Sequence, residues 1–116
     1  MSKRDQLDVT RVLRALAVAK RQEILQLLAE RALCVGALSR FLGISAGAVS
    51  QHLRILKDAG LVVPDRRGYF IHYSLAPDAE ERCRAVMESL FRMKPRSKRG
   101  GTKCVAKKRS AKGRKN

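Results

Sequence analysis

The sequence predicts a mainly α-helical domain with one small β-hairpin. Apolar residues recur at helical spacing through most of residues 9–90, and only residues 61–75 change to the shorter period that is typical of strands. Aromatic residues make up 4% of the chain and tryptophan is absent, so Leu, Val, Ile and Ala must form most of the core. A chain of 116 residues has room for one such domain and a tail.

The first two helices are predicted from apolar stripes. Residues 9–17 carry one stripe, and Asp8 or Thr10 is expected to cap the start of that helix. Residues 19–31 carry a broader stripe beside the polar residues 20–23. The stripes consist of Val9, Val12, Leu13 and Leu16 in the first helix and of Ile24, Leu25, Leu27 and Leu28 in the second.

Two further helices are predicted on either side of a tight turn. Residues 35–42 form a short helix that ends at Gly43, because glycine tolerates the positive φ of a helix C-terminus. Ser45 is expected to cap a longer helix that runs through Ala59 and stops at Gly60. The short helix is expected to turn Leu38, Phe41 and Leu42 inward.

The longer helix has two unlike faces. Val49, Leu53 and Leu56 recur at helical spacing and are expected to face the core. The opposite face is small and polar, which indicates contact with a partner. It consists of Gly47, Ser50, Gln51 and Arg54.

A hairpin and a fifth helix complete the predicted domain. Residues 61–63 and 69–75 are expected to pair as strands around a charged turn, Pro64-Asp65-Arg66-Arg67-Gly68. From Asp78 a last helix carries an apolar stripe that requires a partner helix. This stripe consists of Cys83, Val86, Met87 and Leu90.

Basic residues are concentrated at the C-terminal end. The formal net charge is +16, and residues 94–116 contain 11 lysines and arginines and no acidic residue. Pro, Gly and Ser replace the apolar pattern there, so we expect a domain at residues 1–93 and a disordered basic tail at 94–116. Such a positive charge attracts polyanions, and nucleic acid is the first candidate.

The sequence also indicates where the protein is found. It has no apolar run of about 18 residues, and its start, MSKRDQLD, lacks the apolar stretch of a secretion signal. Three widely spaced cysteines are expected to be free thiols in a reducing cytosol. We therefore expect a cytoplasmic, nucleoid-associated protein with no membrane partner. No catalytic constellation is present, so we expect no enzyme activity.

The two helices around the turn form a helix-turn-helix, and the hairpin directly after them makes it winged. In such units the second helix enters the major groove of duplex DNA, where small residues allow close approach and polar side chains contact bases or phosphates. The arginines of the hairpin are expected to contact the adjacent minor groove or phosphates. The predicted DNA-binding residues are Ser45, Ala46, Gly47, Ser50, Gln51, Arg54, Arg66 and Arg67.

Residues 11–75 resemble the ArsR/SmtB family of transcription regulators. VLRALAVAKRQEILQLLAE resembles its first two helices, ALCVGALSRFLGISAGAVSQHLRILKDAGLV its helix-turn-helix, and RRGYFIHYSL its wing. The resemblance implies a homodimer joined by the first and last helices. It also implies repression at inverted-repeat operators and release of the DNA when an inducer binds.

The sequence departs from the metal-sensing members of that family. The family's motif, similar to ELCVCDL, holds a soft ion between two thiolates, whereas Gly36 stands here in place of the second cysteine. One thiolate is a poor site for arsenite or thiophilic ions. Residues 76–93 contain no histidine to match the ligands of zinc-sensing members. No cofactor is therefore certain, and the ligand set for a metal or metalloid ion is incomplete.

Two alternatives stay open at this point. Cys34 and Cys83 are either small buried residues or, together with Cys104, sensors of a thiol-reactive metalloid or sulfur species. The protein is either a sequence-specific DNA-binding regulator, which we expect to be a repressor, or a nucleoid-type architectural protein with low sequence specificity. The basic tail is expected to add phosphate contacts in both cases.

Overall fold

The computed structural model describes the backbone of residues 3–92 and the side chains from Asp8 onward. Within this range the chain folds into five helices around a small three-stranded sheet. The helices are α1 (Lys3–Leu16), α2 (Ala19–Glu30), α3 (Val35–Leu42), α4 (Ala46–Asp58) and α5 (Ala79–Arg92). The strands are β1 (Leu33–Cys34), β2 (Val62–Arg67) and β3 (Phe70–Leu75).

Four of the helices lie close to the predicted positions, and α1 is longer at its N-terminal end. Because α1 already runs from Lys3, Asp8 and Thr10 lie inside the helix, and the prediction that either residue caps it was wrong. The residues before Asp8 include Lys, Arg, Gln and Leu, which are good helix formers. The prediction relied on an apolar stripe that starts at Val9, so it could not detect the polar turns of the helix before that residue.

The core is aliphatic, as the composition predicted, and α4 contributes to its centre. Val49, Leu53 and Leu56 are all buried, which confirms the predicted inner face of α4. The largest fully buried side chains are Ile24, Leu38, Leu53, Leu56, Leu61, Val12, Val49 and Val62.

Phe41 does not point inward, so that part of the prediction for α3 was wrong. Its side chain is 56% exposed, whereas Leu38 and Leu42 are buried. Leu38 and Leu42 are four residues apart and fall on one side of the helix, with Val35 packed beside them. Phe41 lies at the margin of this face, and an eight-residue helix buries only a narrow face.

The sheet has the order β1-β3-β2, with antiparallel pairing throughout. Strand β2 extends through Arg67, so the predicted turn over residues 64–68 was wrong, and the chain reverses at Gly68-Tyr69. Gly68 adopts φ +65°, as a two-residue hairpin turn requires. Pro64 is tolerated in β2 because this strand is at the edge of the sheet, where an N–H that points to solvent is not needed for hydrogen bonds between strands.

Helix α5 packs against α1 and leaves part of its apolar stripe uncovered. Val86 is buried and Cys83 is half-buried, whereas Met87, Leu90 and Phe91 are exposed. None of the described helices combines the length and the hydrophobicity that a bilayer span requires. The predicted tail at residues 94–116 and Cys104 lie outside the described residues.

Candidate nucleic-acid interface

The turn between α3 and α4 is fixed by a left-handed glycine and a side-chain hydrogen bond. Gly43 has φ +67° and ψ 31°, and its N–H donates to the Ser39 carbonyl at 2.9 Å. The Ser39 hydroxyl donates to the Ile44 carbonyl at 2.6 Å. The two helices are therefore held at a defined angle by a turn of three residues, as in a helix-turn-helix.

Ser45 caps α4, as the sequence predicted. Its Oγ accepts a hydrogen bond from the Ala48 N–H at 3.1 Å, and its backbone is extended. The hydroxyl hydrogen is still available to donate to a phosphate oxygen. Ala46 and Gly47 follow in the first turn and are exposed, so the N-terminal end of α4 is open to a close approach.

The predicted polar face of α4 is exposed. Ser50, Gln51 and Arg54 lie on the side of the helix opposite the buried Val49 and Leu53. Within the described part of the chain, the side chains of these three polar residues have no hydrogen-bond or ion-pair partner. Their donors and acceptors are therefore open to an external ligand.

The wing carries both predicted arginines, but in different settings. Arg67 donates from Nε to Asp65 Oδ2 at 2.9 Å in an exposed ion pair. Successive residues of a strand point to opposite faces, so Arg66 lies on the other face of β2 from Arg67 and Asp65. Tyr69 was predicted to lie in a strand, but it lies in the turn at the hairpin tip and is 97% exposed.

A buried arginine behind α4 was also missed. Arg21 of α2 is 6% exposed, and its Nη1 lies 3.4 Å from Nδ1 of His52 on α4. Burial lowers the pKa of His52 from its usual value of 6.5, and the positive charge of Arg21 lowers it further. Arg21 belongs to the polar residues 20–23 beside the apolar stripe of α2, and its burial was not predicted. Arg21 lies three residues before Ile24 and seven before Leu28, so helical spacing places it on the buried face of α2, and this spacing was the available signal.

The described cysteines lie in separate grooves. Cys34 lies beside the wing with Val35, Gly36, Arg40 and Phe70, and Cys83 lies between α1 and α5. Burial raises the pKa of the Cys83 thiol, and the Arg82 guanidinium opposes part of this shift.

The residues around Cys34 do not fit a metal or metalloid ion. A Cβ added at Gly36 would lie 4.0 Å from Cys34 Sγ. A cysteine at position 36 would therefore place a second thiol beside Cys34, and glycine does not supply it. Within the described residues, no three His, Cys, Asp or Glu side chains come together to hold an ion. One thiol is too few for soft ions, which take two to four ligands.

Comparison with known proteins agrees with this architecture. Residues 19–63 match the family model described as bacterial regulatory protein, arsR family. The chain is 38% identical over 64 residues to the transcriptional repressor SdpR of Bacillus subtilis, which covers 55% of this chain and 71% of SdpR. It is 35% identical over 82 residues to the transcriptional activator HlyU of Vibrio cholerae, which covers 71% of this chain and 73% of HlyU.

Solved structures give the same fold. The chain is similar to a homodimeric winged helix-turn-helix DNA-binding domain of Mycobacterium bovis, solved by NMR, with a TM-score of 0.63 and 32% identity. This match covers 78% of this chain and 85% of that one. The predicted winged helix-turn-helix is thereby confirmed, and the relatives are transcription regulators, not enzymes. The chain belongs to the ArsR/SmtB family of bacterial DNA-binding transcription regulators.

Proposed function

We propose that this protein is a sequence-specific repressor that binds an inverted-repeat operator as a homodimer. Helix α4 acts as the recognition helix and enters the major groove, and the β2–β3 wing contacts the neighbouring backbone or minor groove. The observation that carries the proposal is the exposed polar face of α4, whose side chains have no partner within the described domain. For the sign of regulation we follow the repressor SdpR, whereas the relative HlyU is an activator.

The residues divide into two kinds of contact. Gln51 and Arg54 reach base edges, where a Gln amide matches adenine and a guanidinium matches guanine. Ser45 and Ser50 donate hydroxyl hydrogens to phosphates, and Ala46 and Gly47 allow the helix to come close. Arg66 and Arg67 extend the contact surface along the wing.

The homodimer is supported by uncovered apolar surface on α5. Met87, Leu90 and Phe91 are exposed, with Phe91 at 86%, on a helix that already packs against α1. A second copy would cover this surface and would set two copies of α4 at one fixed spacing. Met87→Glu should therefore shift the protein toward monomer in analytical ultracentrifugation and weaken operator binding.

The central experiment removes the base-reading side chains. Gln51→Ala with Arg54→Ala should lower the affinity for a duplex selected from genomic fragments by at least tenfold, since each good base contact contributes about 1–3 kcal/mol. The matched control is Gln26→Ala with Arg31→Ala, which removes the same two side-chain types from exposed positions at α2. Equal affinities for the selected duplex in all three proteins, measured by fluorescence anisotropy, would refute the role of α4.

The same assay separates a repressor from an architectural protein. A specific regulator binds its site about 10³–10⁷ times more tightly than unrelated DNA, whereas an architectural protein gives a ratio near one. We expect the larger ratio, because Gln51 and Arg54 are suited to base edges as well as to phosphates.

Release from DNA would follow modification of a thiol if the inducer is thiol-reactive. Cys34 lies beside the wing, so an adduct on its sulfur would press on the wing residues that line the same groove, Tyr69, Phe70 and Ile71. Cys83 lies between α1 and α5, where an adduct would disturb the proposed dimer seam. If Cys34→Ser, Cys83→Ser and Cys104→Ser variants release DNA in response to arsenite and a persulfide donor as the wild type does, thiol sensing is excluded.

A further inference from the structure

Arg21 occupies an unusual place for a charged side chain. It is the only buried polar or charged residue among the side chains that the structure describes. Its Nε donates to the Ala15 carbonyl at 2.9 Å, and its Nη2 donates to the Arg14 carbonyl at 3.0 Å. Both carbonyls belong to the last turn of α1, which ends at Leu16. The guanidinium therefore donates to two carbonyls at the end of α1, one of which, that of Arg14, also accepts from the Ala17 N–H at 3.3 Å. It also places a cation at the negative end of the helix.

The third donor of Arg21 points to the recognition helix. Nη1 lies 3.4 Å from Nδ1 of His52, which is half-buried on α4 next to Gln51. A guanidinium can only donate, so Nδ1 of His52 must accept, and the imidazole must be neutral with its hydrogen on Nε2. One side chain thus joins the end of α1 to the middle of α4.

Most of the charged residues near this contact are positive, and Glu23 and Asp58 are the two carboxylates among those named here. Helix α2 presents Arg21, while its Lys20 donates to the Leu42 carbonyl and pairs with Glu23. Helix α1 presents Arg11 and Arg14 toward α4, in a surface depression that they share with Asp58 of α4. Arg54 follows His52 on the outer face of α4. Among the described residues, no carboxylate forms an ion pair with Arg21 or His52.

We propose that Arg21 and neutral His52 are positioning residues for DNA binding, which hold α4 at a fixed angle to α1. This inference rests on the proposed function, because α1 belongs to the dimer seam and α4 to the operator contact. The angle between them sets the separation of the two recognition helices in the dimer, and operator half-sites must match that separation. Neither residue needs to touch DNA for this role.

Protonation of His52 provides a test, because the proposal predicts that it weakens DNA binding, whereas an added positive charge ordinarily strengthens binding to DNA. A protonated imidazole carries hydrogens on both nitrogens, so it cannot accept from Arg21, and the two cations repel each other. Acidification should therefore weaken specific binding. If His52 instead contacts a phosphate directly, acidification should strengthen binding, as for any added positive charge.

The experiment measures affinity for a duplex that the wild-type dimer has selected from a random pool at about pH 7.5. At about pH 5.5 we expect the affinity of the wild type for the selected duplex to fall measurably more than its affinity for unrelated duplex. The loss should stay below about tenfold, because a single proton binds and the pKa of His52 is lower than its usual value of 6.5. His52→Gln keeps an acceptor that does not titrate, so it should bind as the wild type does at the higher pH and should lose this pH dependence. His52→Leu should bind weakly at both values, because the acceptor is gone.

Two controls distinguish positioning from a general effect. His72→Gln removes the only other histidine and should keep the pH dependence of the wild type. Side-chain nitrogen NMR of the free protein at about pH 7.5 should show His52 with its hydrogen on Nε2. A hydrogen on Nδ1, or wild-type and His52→Gln affinities that change equally with pH, would overturn the inference while leaving operator binding intact. Failure of the wild type to select any duplex would refute the proposed function, and the inference with it.

Discussion

At the scale of single residues, the glycines at helix ends could be predicted, whereas the partners of the buried arginine could not. Gly43 and Gly60 follow apolar helices, and both adopt positive φ, which local sequence is enough to suggest. Arg21 is buried because carbonyls of α1 and a histidine 31 residues away receive its hydrogen bonds. Only the packing of three helices brings these groups together, so a short sequence window can place Arg21 on the buried face of α2 but cannot show which groups it contacts.

Among the described glycines, Gly60 leaves the least room for an added side chain. It has φ +79°, and a Cβ added there would lie 2.9 Å from Arg82 Nε. Gly60→Ala should therefore lower the free energy of unfolding by about 1–2 kcal/mol from backbone conformation, and by more if Arg82 cannot move. Urea denaturation followed by circular dichroism measures this loss.

Gly36→Ala provides the matched control for Gly60→Ala. Gly36 lies in the first turn of α3, and its added Cβ would meet nothing closer than 3.8 Å. We expect this variant to be as stable as the wild type or more stable by about 0.5–1 kcal/mol, because alanine is the better helix former. Equal losses in the two variants would show that positive φ at position 60 is not the cause.

At the scale of elements, helices were easier to predict than strands. Every described helix has an apolar stripe long enough to show its period, and α3 begins and ends at the predicted residues. Strand β1 has two residues, which is too few for any period, and it is formed by pairing with β3. The turn of the wing was misplaced because Pro64 and Asp65 are typical turn residues that an edge strand also accepts.

The cap of α4 links element stability to the interface. Ser45→Ala removes the acceptor for the Ala48 N–H and should lower the free energy of unfolding by about 1 kcal/mol. Ser50→Ala removes the same hydroxyl from an exposed position in the same helix, where it caps nothing, and should leave stability almost unchanged. Thermal unfolding of both variants tests this, and a Ser50→Ala loss as large as that of Ser45→Ala would contradict the role of the cap.

The contact between α2 and α4 predicts how stability depends on pH. The pKa of His52 is lowered in the folded protein, so the unfolded chain binds a proton more readily than the folded one. Stability should be constant above the unfolded value of about 6.5 and should fall as the pH drops from there toward the folded pKa. Urea midpoints of wild type and His52→Gln measured across this range should differ in slope, and parallel profiles would exclude His52 as the cause.

At the scale of the whole molecule, charge is divided unevenly along the chain. Residues 94–116 hold 11 of the 26 lysines and arginines and no acidic residue. The described domain carries the groups suited to reading bases, whereas this segment offers only charge and small residues. The fold and the family could be predicted from the segments with a regular apolar pattern. The basic composition of residues 94–116 predicts only attraction to polyanions and does not predict which groups they contact.

The charge of this segment predicts a specific change in how binding depends on salt. Each phosphate that a cation neutralises contributes about 0.9 to the slope of log affinity against log salt concentration. Truncation after Arg92 should therefore reduce the slope by several units and weaken binding to all duplexes by a similar factor. The ratio of affinities for selected and unrelated duplex should stay the same, because the proposed base contacts are made by α4.

A full-length variant with glutamine at the 11 cationic positions of residues 94–116 separates charge from chain length. If charge is responsible, this variant should match the truncated protein in slope and in affinity. An unchanged slope in both proteins would show that these residues do not contact phosphates. A loss of selectivity with an unchanged slope would instead place sequence recognition in this segment, since base contacts carry sequence information and ion release does not.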